Sequence, residues 1–189
     1  AESADLYSKI SNLITAKKYT VSHAVNSAIV FLYWEIGETV CMDILQNHKA
    51  EYGKAIINEV AKQLSQNYGK GFDRTAIFRM VQFYQEFPDK EKVATLSQQL
   101  TWSHFVVLLP IEDELKRDFY AAMCKSENWS VRVLRERKNS MLYERTAISK
   151  KSDETIKNDI ALLMEKDKMS LDLFYRDPYV LDFLGLKDT

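Results

Sequence analysis

Five glycines and three prolines are spread through 189 residues, and that scarcity constrains the fold more than any other feature. A β-rich chain of this length needs turn residues at short, regular intervals, whereas long helices need few breaks. Apolar residues repeat at helical spacing, and no alternation of period two survives beyond four or five residues. The expected fold is therefore all-α, a helical bundle of about seven to eight helices. Apolar residues (46%) and charged residues (28%) stand in ordinary globular proportion, which excludes a disordered chain.

The helices can be placed one by one. Leu6, Ile10, Leu13 and Ile14 mark a first helix ending near Lys17-Lys18. Ser22 is placed to cap a second, with Val25, Ile29, Leu32, Ile36, Val40 and Ile44 as its buried stripe. A third starts near Gly53 and turns Ile57, Val60, Leu64 and Tyr68 inward. Gly69 is expected to end it in a left-handed conformation and Asp73 to cap the next, from Arg74 to Phe87. That helix faces inward with Ile77, Met80, Val81, Tyr84 and Phe87, and outward with Arg74, Thr75, Phe78, Arg79, Gln82 and Gln85. Pro88 stops it, and a charged loop leads to an apolar segment, Leu96 to Leu109, with Ser103 as a cap. A helix around Leu115, Phe119, Ala122 and Met123 follows. The next, capped by Ser130, buries Val131, Leu134, Met141 and Leu142 and exposes Arg132, Arg135, Asn139 and Tyr143. A last long helix carries Ile156, Ile160 and Leu163, and Asp177 to Gly185 reads as a short helical turn.

Composition bounds the function classes. The longest apolar run, Ala28 to Trp34, is about two turns of helix, too short to cross a bilayer, so no membrane partner is expected. Cys41 and Cys124 stand far apart and outside any C-x-x-C pattern, as in the reduced core thiols of a cytoplasmic protein. Ala1 in place of Met points to a processed or engineered start, consistent with an excised domain. Net charge is −1, but its distribution is uneven. Gly53 to Gln85 holds five Lys/Arg against two acids, and Lys125 to Lys151 eight against three. Ser152 to Thr189 is acidic, with nine acids against five basic residues.

Those two basic islands carry the candidate sites. The stretch 54–87 reads as a helix-turn-helix-like unit, free of a wing, with a tight Gly-containing turn before a helix whose outer face can reach base edges. Arg74, Arg79 and Gln82 suit that role, since Arg pairs with guanine, Gln with adenine, and either holds a phosphate. The second island supplies Arg132, Arg135, Arg137 and Lys138 on one capped helix, a local positive field suited to phosphates. Of these, Arg132, Arg135 and Lys138 are the predicted contacts. For both islands the plain alternative is a solvated helix face.

No catalytic, cofactor-binding or metal-ligating set is expected. Pro88-Asp89 and Glu114-Leu115-Lys116 spell the letters of a PD…ExK nuclease site. That chemistry needs carboxylates converging from adjacent strands on a divalent cation, and Glu114 and Lys116 fall on an amphipathic helix instead. His23, His48 and His104 are scattered without ligand spacing. Gly69-Lys70-Gly71 lacks both the spacing and the preceding strand of a phosphate loop.

An ordered set of fragments resembles a known family. Tyr33-Trp34-Glu35-Ile36-Gly37, Tyr52-Gly53, Leu64-Ser65, Tyr68-Gly69-Lys70-Gly71-Phe72 and Phe83-Tyr84 are followed by Trp102-Ser103-His104, Phe119-Tyr120, Trp129-Ser130-Val131 and Tyr143-Glu144-Arg145. In this order they resemble the N-terminal helical domain of the YhcG-like family of bacterial proteins. The resemblance implies a helical domain over 1–176, then a junction, 177–189, to a PD-(D/E)xK-type nuclease domain beyond Thr189. By the same resemblance, the divalent metal belongs to that later domain. The implied role is to bind DNA, with RNA as a second candidate, and to position the nuclease domain. The rival expectation is a protein-interaction or homodimerisation module, supported by near-neutral charge and the apolar tail with Phe174, Tyr175, Tyr179, Phe183 and Leu184. The shared residues also have structural uses: Gly37 would let helices pack closely, and the tryptophans would fill gaps between them.

Overall fold

A computed structural model describes residues 2–47, 50–146 and 153–166. All regular structure among them is helical: α1 (Glu2–Asn47), α2 (Ala50–Tyr68), a short 3-10 turn (Lys70–Phe72), α3 (Arg74–Glu86), α4 (Lys90–Ser97), α5 (Trp102–Leu108), α6 (Glu114–Ser126), α7 (Val131–Asn139), α8 (Leu142–Arg145) and α9 (Asp153–Lys166). The all-α expectation holds. The chain divides into two compact units, the first ending at Trp102 and the second beginning at Ser103, a subdivision that no linker composition announced.

In the first unit α3 is central, packed on both α1 and α2, while α4 also lies on α1. Its core joins Val30, Trp34 and Cys41 of α1 to Ile57 and Ala61 of α2, Ile77, Met80 and Phe83 of α3, and Val93 and Leu96 of α4. Gly37 is where α1 and α3 touch. A Cβ there would lie 2.0 Å from the Met80 carbonyl oxygen, so the close packing expected of this glycine is observed. One turn away the Trp34 indole Nε1 donates at 2.7 Å to the carbonyl of Phe87, the residue that caps the end of α3. Asn26 and Ser27 likewise donate to the Ser97 carbonyl and bind the end of α4 to α1.

The second unit is built on α6, against which α7, α8 and α9 pack. Phe119, Tyr120, Ala121, Ala122, Met123 and Cys124 are all buried there, with Leu134, Leu142, Ile156 and Ile160. Buried polar groups are met by main chain. Arg117 donates to the Ile111 carbonyl at 2.7 Å, Lys125 to the Met164 carbonyl at 2.6 Å, and His104 Nε2 to the Trp129 carbonyl at 2.8 Å.

Several local expectations are corrected. The first two predicted helices are one, so Ser22 lies inside α1 and caps nothing. No Gly or Pro interrupts residues 2–36, leaving nothing to stop the helix. Its buried face is Val30, Trp34, Gly37 and Cys41, while Val25, Ile29 and Leu32 are exposed, some 140° around a helix turning about 100° per residue. Val60 and Tyr68 of α2 are exposed too. The charged loop after Pro88 forms α4, because Asp89 accepts from the Glu91 and Lys92 amides. Helix α5 starts at Trp102, so Ser103 is inside its first turn. The helix begun at Ser130 stops at Asn139; Met141 adopts a left-handed conformation (φ 56°) and is exposed, and the rotation this introduces buries Tyr143. The predicted turn 177–185 and the apolar tail lie outside the described residues, as does His48.

Candidate nucleic-acid interface

The turn between α2 and α3 is built from short-range bonds. The Gly69 amide donates to the Ser65 carbonyl at 3.0 Å and ends α2. Gly69 then takes φ 93° and ψ −180°. The positive φ was expected, but with ψ extended this is a glycine-only region outside the left-handed helical well. Asp73 caps α3 as predicted, its Oδ1 accepting from the Ala76 amide at 2.8 Å.

Helix α3 leaves this turn with Arg74, Thr75, Arg79 and Gln85 exposed on the side away from Ile77, Met80 and Phe83. Gln82, between them on that face, is half-buried. The Arg74 guanidinium lies over the Phe78 ring, 5.5 Å from its centroid, which restrains the side chain without neutralising it. Beside Arg74 is an open cleft of about 330 Å³, lined also by Asn58, Ala61, Lys62, Ser65, Gln66 and Asp73. Two cations and three neutral hydrogen-bonding side chains meet one carboxylate there, and that carboxylate is already engaged as a cap.

The α2 contribution was missed in the sequence. Lys54, Asn58, Lys62 and Gln66 recur at four-residue spacing and are all exposed, so they form one ridge along the helix. The polar repeat, ending three residues before Gly69, was the signal.

In the second unit Ser130 caps α7 by accepting from the Val133 amide at 3.3 Å. Arg132 and Arg135 are exposed on a common face with Asn139. The other two basic residues are more committed. Lys138 is half-buried, with Nζ 3.4 Å from the Val107 carbonyl, and Arg137 lies over the Trp129 ring at 5.9 Å. Lys138 also borders a cleft with Glu112, Asp113 and Lys116, where two acids offset the cations. Each unit therefore has its own exposed basic residues: Arg74 beside Lys62 of the α2 ridge with Arg79 further along α3, and Arg132 with Arg135.

The letters of the nuclease motif have structural employment. Asp89 caps α4, Glu114 opens α6 next to its cap Asp113, and the Lys116 ammonium pairs with Glu144. Among the described residues no group of three or more His, Cys, Asp or Glu is placed to hold a metal ion. The shifted titrating groups are core groups. Burial pushes the Cys124 thiol up to about 12 and the Tyr120 phenol, which also faces Glu144, up to about 12; burial lowers His104.

The sequence model of the DUF1016 N-terminal domain matches residues 9–145. The chain belongs to the DUF1016 N-terminal domain family. That match runs through both units and includes α2, α3 and α7. This DUF1016 domain is also similar to a protein of Escherichia coli (strain K12) named "Putative nuclease YhcG", with 26% identity over 218 aligned positions. The alignment covers 97% of this chain and 56% of that protein, so the chain spans little more than half of its relative. No solved structure matches the chain. Among the described residues, no helix is long and apolar enough to cross a membrane.

Proposed function

We propose that this DUF1016 N-terminal domain binds nucleic acid, duplex DNA before RNA, and in the longer protein delivers a nuclease domain to it. The observation that carries the reading is the pair Arg74 and Arg79, exposed on the helix that follows a tight turn, with Lys62, Asn58 and Gln66 beside Arg74. Exposed guanidinium groups on a helix face can hold phosphates or read base edges, and a preceding helix that adds a cation and amides widens the phosphate contact. Arg132 and Arg135 supply a second contact surface, and Lys138 a lesser one. The nuclease name of the E. coli relative supports the kind of ligand. In this reading the chain itself is non-catalytic, the divalent metal serves the following nuclease domain, and the buried free thiols Cys41 and Cys124 suit a cytoplasmic protein.

Binding of the chain to labelled duplex and single-stranded DNA and to RNA, across a salt series, tests it. The expected result is affinity for duplex DNA that falls steeply as salt rises, because counterions released from phosphates dominate such binding. No affinity at low salt would overturn the proposal and leave both basic surfaces as solvated helix faces.

A further inference from the structure

Helix α1 has two apolar faces, and the described residues cover only one. Val30, Trp34, Gly37 and Cys41 pack inside the first unit. On the opposite side Leu6, Tyr7, Ile10, Leu13, Ile14, Val21, Val25, Ile29 and Leu32 form a continuous stripe, each between 40% and 76% exposed. No described residue covers it. Over residues 5–22 nearly every position of α1 is exposed, although a helix in water draws most of its stability from packing an amphipathic face.

We infer that this stripe is the seam of an antiparallel homodimer, in which α1 lies against α1 of a second copy. The surface is large enough. These nine side chains leave on the order of 900 Å² open, against about 300–600 Å² for the largest apolar patch of a typical monomer. Two copies would bury at most roughly 1,800 Å², a ceiling inside the range of a stable interface. Seam residues recur at the three- and four-residue steps of a paired helix, and the 46-residue length of α1 is that of a coiled-coil segment.

Lys17 sets the direction. It lies within the stripe, between Ile14 and Val21. In a parallel pair the two ammonium groups would face each other in an apolar seam, a costly like-charge contact. Turned antiparallel about a two-fold axis near residue 19, the stripe becomes self-complementary. Ile10 and Ile14 then meet the exposed small residues Ala28 and Ala24 of the second copy, while Leu6 and Leu13 flank the seam on one side and Val25 and Leu32 on the other. Lys17 then faces Val21 and can extend its ammonium to the rim. Large side chains stand opposite small ones, as close packing requires. The inference is independent of nucleic-acid binding, since it uses neither α3 nor α7.

The molar mass of the chain in solution, by light scattering over a dilution series, is the first test and is expected to show a dimer. Ile10→Glu with Ile14→Glu should weaken the dimer on the order of a hundredfold or more by burying charges in the seam. Both positions are exposed in the single chain, so its core should melt unchanged. In a second test, Ile14→Cys with Ala24→Cys should form interchain disulfides on oxidation, because these two positions face each other across the seam. A monomer at every concentration would overturn the inference, whether the stripe is then shielded by the rest of the chain or by another protein. So would a dimer indifferent to both glutamates, and crosslinking of the Ile14→Cys single variant alone would overturn the antiparallel arrangement.

Discussion

Two glycines support the first unit by opposite means, and the difference can be measured. At Gly37 the backbone is helical and the constraint is space: a Cβ would stand 2.0 Å from a backbone oxygen of α3. Gly37→Ala should force α1 and α3 apart and cost about 3 kcal/mol in urea unfolding. At Gly69 no atom beyond the adjoining residues lies within 4 Å of where a Cβ would be, so the constraint is the dihedral pair alone. Gly69→Ala should cost about 1–3 kcal/mol. Because ψ is extended, Gly69→Asn should cost as much as alanine; a well-tolerated Asn would mean a left-handed helical cap in solution. His104 adds a pH dependence. Burial lowers its pKa, and the Trp129 carbonyl opposes that shift only in part. The unfolded chain therefore takes up the proton first as pH falls. The stability this supplies is whole above the ordinary histidine value of about 6.5 and is lost as pH falls through the lower folded value. His104→Gln should flatten that part of the stability profile; an unchanged profile would show that His104 is not its source.

At the scale of elements, two helix starts were legible although Ser22 and Ser103 were misplaced as caps, and what covers a helix face was not legible. Asp73 and Ser130 cap as their positions implied, since a short polar side chain before an apolar period has one nearby use. Asp89 and Asp113 carry the same signal, but the proline beside one and the acids around the other resemble a loop. The stripe Val25, Ile29 and Leu32 is real in period yet lies on the open side of α1, because periodicity shows that a face exists and not what covers it. The same limit applies to the basic helices. Arg132, Arg135 and Lys138 share α7, but Lys138 extends to the Val107 carbonyl while the arginines reach solvent. Removing charge should separate them. Arg132→Gln with Arg135→Gln should weaken DNA binding with stability within about 0.5 kcal/mol of the parent. Lys138→Gln should lose less binding and more stability; equal loss of binding would place its ammonium on phosphate.

At the scale of the whole molecule, a chain of net charge −1 presents one basic surface on each of two units. Whether both engage one DNA duplex is a question of counting charges, and salt dependence performs the count. Each phosphate neutralised contributes about 0.9 to the slope of log K against log salt on duplex DNA. Arg74→Gln with Arg79→Gln removes two charges from α3, and Arg132→Gln with Arg135→Gln removes two from α7. If all four contact phosphate in one complex, each pair should reduce the slope by about 1.8, and the quadruple variant by about 3.6. Should the α7 pair leave the slope untouched, the interface is confined to the first unit and the second serves another purpose. An α3 pair that shifts affinity on one sequence while conserving the slope would mean that Arg74 and Arg79 contact bases, since base contacts discriminate and phosphate contacts do not. The outcomes differ in slope as well as affinity, so misfolding cannot imitate them: it removes active protein without changing how the remainder responds to salt.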